Sequence, residues 1–428
     1  MERLPAELMY EVLGQLSTRD MKSTRLASEI FHPVANQLLF RRVYASIHLK
    51  DLEVLSAISA HPTIRLAIRE VVHIGVYFHY PIVTPEYIDP IDQSLYYGEF
   101  QQKDETYDCL DYYNARLQEQ EKTRKSGYDL ATISAALAEM PNVRSVVLVN
   151  QWRNTAPFFR SYPGSTARPF GVPLRIEEGP HAGKPFDYGF EIMCKAVSIS
   201  GRQIENFDIQ YGGHNLNRHD AIVENWGVLP TSFLCTPCDL QHYCNAFRHL
   251  RKIRLVIHNA GKQRHILESG NLPEILAAAT EMKYMRIVMK NERDGHEYTP
   301  EDEVVHNWVD MPLSKVLGTH TWPHLQGVSL IGMRTTSEEL VEFVRRHSST
   351  LNFIDLKIMS LEGSWAGAAL RLRHLRCPAL NLVTCANLLE TQKPQPQTRG
   401  LRDKLHSREV AKCILGHDYN SSSYWLMR

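Results

Sequence analysis

From Leu4 to about Tyr44 the apolar residues recur at helical spacing. Leu8, Val12, Leu13 and Leu16 form a first run, Met21, Leu26, Ile30 and Phe31 a second, and Val34, Leu38, Leu39 and Phe40 a third that follows Pro33. Pro5 suits the first turn of a helix, where its missing N–H costs nothing. Ser17-Thr18-Arg19-Asp20 breaks the first run and restarts the second. Three short helices are predicted, in a module too small to be secure on its own core, since single cores are marginal below roughly 40 to 70 residues. A docking partner or the following domain is expected to complete it.

Beyond this module the pattern changes to apolar-x-x-apolar-x-apolar, usually preceded by a helical stretch. It recurs as Val143/Val146/Leu148, Ile204/Phe207/Ile209, Leu250/Ile253/Leu255, Met282/Met285/Ile287, Leu325/Val328/Leu330 and Leu351/Ile354/Leu356, with a weaker candidate strand from Val71 to Ile74. Helices are predicted from Ile133 to Met140 and from Leu340 to His347. The motif is the core of a leucine-rich repeat, although the spacing between successive units is far more irregular than the roughly 20 to 29 residues of a regular array. Insertions take up the excess: 98–127, with the composition of a charged helix, and 150–189, rich in Gly, Pro and Arg, both read as surface excursions. The expected fold is α/β, a three-helix module over 1–45 followed by an irregular leucine-rich-repeat-like arc of alternating helices and parallel strands over 46–389. A connector and C-terminal strip fill 390–428, in which Trp425 and Leu426 can return to the array.

Composition narrows the function. Lys plus Arg and Asp plus Glu each number 48, so the formal net charge is +0 and nothing in the overall balance favours nucleic acid or an anionic membrane. A hydrophobic content of 43% excludes a disordered chain. Neither a signal peptide nor a membrane anchor is readable, and eight cysteines in so long a chain read as reduced thiols, so a cytoplasmic or nuclear location is expected and the sequon at Asn420 is irrelevant.

The residues LPAELMYEVLGQLSTRDMKSTRLASEIFHPVA resemble the F-box family. Leu4, Pro5, Glu7, Leu8, Val12, Leu13, Leu16, Asp20, Leu26, Ser28 and Phe31 fill the places of its pattern, while Glu29 stands where a basic residue is common and Phe31 where many members carry Trp. The stretch from Trp322 to Trp365 is similar to the repeat regions of fungal F-box proteins, with a helix ending in His347-x-x-x-Leu351 and a closing Gly363-x-Trp365. The resemblance implies docking of a Skp-type adaptor, and through it a cullin scaffold, by Leu4, Pro5, Leu8, Val12, Leu13 and Leu16, as an amphipathic helix fills a groove. It implies a non-enzymatic substrate receptor of an SCF-type ubiquitin ligase, with an unidentified protein client on the repeat domain and no cofactor. An interaction scaffold without a role in ubiquitination is the alternative.

Other chemistry is faint. Cys235, Cys238, His242 and Cys244 make a cramped loop for four zinc ligands and read first as packing thiols, with a metal or thiol enzyme as the alternative. No phosphate cradle, nucleophile elbow or H-E-x-x-H motif occurs. Alternation along the repeat strands sends Ser145, Val147, Asn206, Asp208, Lys252, Arg254, Tyr284, Arg286, Gly327, Ser329, Phe353 and Asp355 to the face opposite the core. There Lys252, Arg254 and Arg286, with Lys290 close by, are expected to form a basic strip for an acidic or phosphorylated client, and Tyr284 and Phe353 to serve as aromatic anchors.

Overall fold

A computed structural model of the protein describes residues 5–75, 115–149, 184–210, 227–258, 264–290 and 309–391, apart from 116, 310, 376 and 387, with short pieces at 410–411 and 414–415. The chain divides into two units, 1–204 with 210–221, and 205–209 with 222–428. Both are mixed α/β, built on parallel strands.

The first unit opens with three short helices, α1 (Ala6–Gly14), α2 (Thr18–Ala27) and α3 (His32–Leu39). Ser17 caps α2: its hydroxyl accepts the Asp20 N–H at 3.1 Å and donates to the Asp20 carboxylate at 2.6 Å. Pro33 sits in the first turn of α3. The helical run read to about Tyr44 ends earlier, because Arg42–Ala45 is strand β1, paired in parallel with β2 (Glu70–Ile74), which pairs with β3 (Ser145–Val149). The helix Leu49–Ala60 separates β1 from β2.

The insert expected over 98–127 reaches the described residues as a helical run at 117–126 that Gly127, with φ of +67°, separates from the helix Tyr128–Glu139. Glycine meets no steric penalty in that left-handed conformation. The rest of that insert, and 150–183 of the second, lie outside the described residues. The last residues of the second insert are not loop, since Lys184–Ser200 is one long helix.

The second unit holds six parallel strands in the order β4 (Asn206–Gln210), β5 (Lys252–Ile257), β6 (Tyr284–Met289), β7 (Gly327–Ile331), β9 (Phe353–Lys357) and β11 (Leu382–Ala386). The register aligns the predicted apolar triplets: Phe207, Ile253, Met285, Val328 and Ile354 stand side by side, extended by Val383. Every predicted triplet residue is buried. A side chain of this size contributes roughly 1.5 to 3 kcal/mol when fully buried, so these aligned rows are the main source of the fold's stability. Helices cover that face, as where Phe207 meets Phe247 of the helix Pro237–Phe247, with ring centroids 5.6 Å apart.

A second parallel sheet was not predicted. β8 (Arg334–Thr336), β10 (Ser360–Glu362) and β12 (Leu389–Thr391) pair side by side just beyond the ends of β7, β9 and β11. Glu390 therefore belongs to a strand rather than to the connector. The helix Ser337–Arg346 starts on a capping box between Thr336 and Glu339. His347, just past its end, accepts the Trp322 N–H at its Nε2 (3.1 Å) and donates from Nδ1 to the Phe343 carbonyl (2.8 Å), so it is the neutral Nδ1–H tautomer. Of the C-terminal strip, Val410, Ala411 and Ile414 are buried; Trp425 and Leu426 lie outside the described residues.

Candidate functional site

Two surfaces collect the residues singled out in the sequence. On the N-terminal helices, Leu13, Met21, Val34 and Ala35 form a small buried core, with Met9, Tyr10, Leu16, Phe31, Leu38 and Leu39 packed on it. Leu13 therefore faces inward rather than outward as predicted, and Leu16 is half-buried. Leu8, Val12, Leu26 and Ile30 stand 45%, 59%, 80% and 49% exposed. Leu8 and Val12 are four apart on α1 and so share one face. Pro5 is exposed at the start of α1, and Leu4 lies outside the described residues. A module with four buried core residues and four exposed large aliphatic ones leaves much of its apolar surface in water.

The other surface is the second face of the strands in the second unit. Parallel register stacks its residues in rows: Asn206, Lys252, Tyr284, Gly327, Phe353 and Leu382 in one, and Asp208, Arg254, Arg286, Ser329, Asp355 and Thr384 in the next. The expected basic strip is not continuous. Lys252 is exposed in the first row, while Arg254 and Arg286 belong to the second, where Asp208 is next to Arg254 and Ser329 separates Arg286 from Asp355. Arg254 forms an ion pair with Asp208, Nε to Oδ1, at 3.7 Å. Asp355, almost fully buried, accepts from the Ser329 hydroxyl (2.8 Å) and the Thr384 hydroxyl and pairs with Lys357 Nζ (3.0 Å). Lys290 follows β6 and is half-buried.

Arg286 is the exception in this row. It is half-buried, its Nε is shut off from solvent, and among the described residues it has neither a hydrogen bond nor an ion pair. Beside it, Tyr284 and Phe353 flank Gly327, and a Cβ added at Gly327 would lie 2.9 Å from Tyr284 Cδ1 and 3.3 Å from Phe353 Cδ1. The absence of a side chain at Gly327 lets both rings lean over its backbone. Tyr284 is held by its hydroxyl, which donates to Gln326 Oε1 at 2.8 Å. The structure thus brings Tyr284, Phe353 and Arg286 together. Gln326, Lys357 and Thr384 were missed because only the strand register shows what they touch.

The cysteine cluster is assembled differently from a metal site. Thr236 caps the helix Pro237–Phe247, Cys235 Sγ lies 3.7 Å from the Phe233 carbonyl and 3.6 Å from Asn271 Nδ2, and Cys238 is exposed. Burial pushes the Cys235 and Cys244 thiols up, away from reactive thiolates. Among the described residues no three His, Cys, Asp or Glu side chains are grouped to hold a metal ion.

His73 and Asp51 are among the groups of the first unit whose pKa values are shifted. His73 on β2 is buried with no hydrogen-bond partner at either ring nitrogen, and burial, aided by His48, brings its pKa down to about 4. Burial raises the Asp51 carboxyl, against the opposing hydrogen bond from the Ser46 hydroxyl at 2.6 Å.

Among the described residues no helix is long and apolar enough to cross a membrane. Compared with known proteins, the chain matches no family model and no curated protein.

Proposed function

We propose that this chain is a client receptor of an SCF-type ubiquitin ligase. Its N-terminal helices act as an F-box that docks a Skp-type adaptor and through it a cullin scaffold, and its leucine-rich-repeat-like second unit presents a protein client. The carrying observation is four exposed large aliphatic side chains, Leu8 and Val12 on one face of α1, Leu26 on α2 and Ile30 in the turn before α3, in a segment that opens with the Leu4-Pro5-x-Glu7-Leu8 motif. Helices with so small a core gain most by burying such side chains on a groove in another protein. The chain supplies proximity rather than chemistry: client and ubiquitin-loaded enzyme held on one scaffold react at a raised effective concentration.

The test is a pull-down of the purified full-length chain with the adaptor, beside a Leu8→Asp/Val12→Asp variant. These positions are exposed, so the variant keeps its circular dichroism spectrum, whereas Leu13→Asp would destroy the helical core. Wild-type binding lost in the variant is the expected result. A wild-type chain that does not bind, or a variant that binds equally well, rejects the proposal.

A further inference from the structure

The second face of the second unit contains a feature that goes beyond the presence of a client surface. In the Asp208 to Thr384 row the charges are accounted for locally, Arg254 by Asp208 and Asp355 by Ser329, Thr384 and Lys357. Among the described residues of this row Arg286 alone is left over, with a dehydrated Nε and no partner. A guanidinium carries five donors and stays charged at any physiological pH, so leaving it unsatisfied in a half-buried position is costly. That cost is recovered when an anion arrives. Two residues back on the same strand, at a rise of about 3.3 Å per residue, lies Tyr284, whose ring with that of Phe353 makes an apolar platform over Gly327.

We propose that the Tyr284/Gly327/Phe353 platform and Arg286 together receive an extended segment of the client that carries an apolar side chain and, two residues away, an Asp or Glu. This rests on the reading of the second unit as the client-binding part. In an extended segment, side chains two apart point the same way with a separation of about 7 Å, which matches the Tyr284 to Arg286 spacing along β6. The apolar side chain lies on the rings, where aromatic anchors contribute most to binding, and the carboxylate pairs with the guanidinium. Charge favours a carboxylate over a phosphate: among the described residues Arg286 is the one unpaired cation of a row that also holds Asp355 and Asp208, and Lys252, in the neighbouring row, is exposed and screened by solvent, so a single negative charge is balanced better than a dianion.

The test uses the full-length chain and a phage-displayed library of random peptides. Wild type is expected to enrich an apolar residue with Asp or Glu two positions away. For a synthetic peptide of that consensus, Arg286→Gln should weaken binding roughly ten- to hundred-fold, the range of a lost charged hydrogen bond. Arg286→Glu should switch the selected residue from acidic to basic, a gain that only a folded protein can give. Gly327→Val, which forces the rings apart, should remove the apolar preference. No enrichment, a consensus without the acid, or a consensus unchanged in Arg286→Glu overturns the proposal. Adaptor binding is measured alongside: its absence in wild type counts against the ubiquitin-ligase reading, and a failed library with wild-type adaptor binding intact counts against the platform alone.

Discussion

The two units use the second faces of their strands differently. In the second unit the core face is uniformly apolar, with Ile209, Leu255, Ile287, Leu330 and Leu356 in its outer row, and the second face carries charge, hydroxyls and half-exposed rings before a row of buried Val256, Val288 and Ile331. In the first unit the second face is a core of its own: Val72, Ile74, Val147 and Val149 are buried together with Tyr44 packed on them. There the core face carries the misfit, His73, level with Leu148 of the neighbouring strand. The same local motif thus leaves a partly exposed polar face in one unit and forms a double-sided buried sheet in the other. Identical alternation does not by itself tell which residues meet a ligand.

The largest effect separates the faces directly. Val147 and Arg286 both stand one residue past the middle apolar position of their strands, Val146 and Met285. Val147→Asp places an unpaired charge in the apolar cluster and should cost about 3 to 5 kcal/mol, whereas Arg286→Asp on a half-exposed face should stay within about 1 kcal/mol. Urea denaturation of both variants reads the difference. Equal losses would mean that the second faces of the two units are alike after all.

The core-face misfit predicts a pH effect. His73 has its pKa lowered to about 4 in the folded chain, against about 6.5 when unfolded. Between those values the unfolded chain binds the extra proton, so stability is full above pH 6.5 and falls by about 1.4 kcal/mol per unit as pH drops towards 4. His347, whose pKa burial lowers against the opposing hydrogen bond to the Phe343 carbonyl, adds to the same acid loss. His73→Leu should stabilise the chain and flatten the curve between pH 6.5 and 5. An unchanged curve in that variant would show that His73 does not titrate in this range.

Asp355 supports the second face from beneath. Asp355→Ala leaves the Ser329 and Thr384 hydroxyls and Lys357 without their acceptor and should cost about 1 to 3 kcal/mol. Peptide binding by this variant should weaken less than by Arg286→Gln, because Asp355 orders the row without being the free charge in it. A larger binding loss in Asp355→Ala than in Arg286→Gln would move the site along the row.

How far the sequence could carry this follows from the range of each interaction. The triplets were legible because their period is local, and they fell in register across the strands. The double-sided sheet was also signalled, since Val146-Val147-Leu148-Val149 is a continuous apolar run and Val71-Val72-His73-Ile74 is one but for His73, whereas Lys252-Ile253-Arg254-Leu255 alternates. Reading both as alternating strands sent Val147 to the wrong environment. The inward turn of Leu13, the pairing of Arg254 with Asp208 and the placing of two rings over Gly327 depend on neighbours distant in sequence. The three-residue strands β8, β10 and β12 are too short to show any period.

Those short strands expose the smallest effect, in a feature that among the described residues belongs to the second unit. Gly332 joins β7 to β8 with φ of +76°, and its N–H donates to the Lys357 carbonyl at 3.0 Å; Ile358 joins β9 to β10 with φ of +51°, and its N–H donates to the Ala386 carbonyl at 2.9 Å. The same turn is thus made once by glycine and once by a β-branched residue, for which the left-handed conformation costs about 1 to 2 kcal/mol. Ile358→Gly removes that strain but also a half-buried side chain, and glycine adds about 0.5 to 1 kcal/mol of backbone entropy cost. The net change should therefore lie within about 1 kcal/mol of zero, against about 2 to 5 for Ile354→Ala four residues earlier on the core face. If Ile358→Gly proves as costly as Ile354→Ala, the side chain at 358 is a core residue whose packing outweighs the strain. The turn into the second sheet would then depend on that packing.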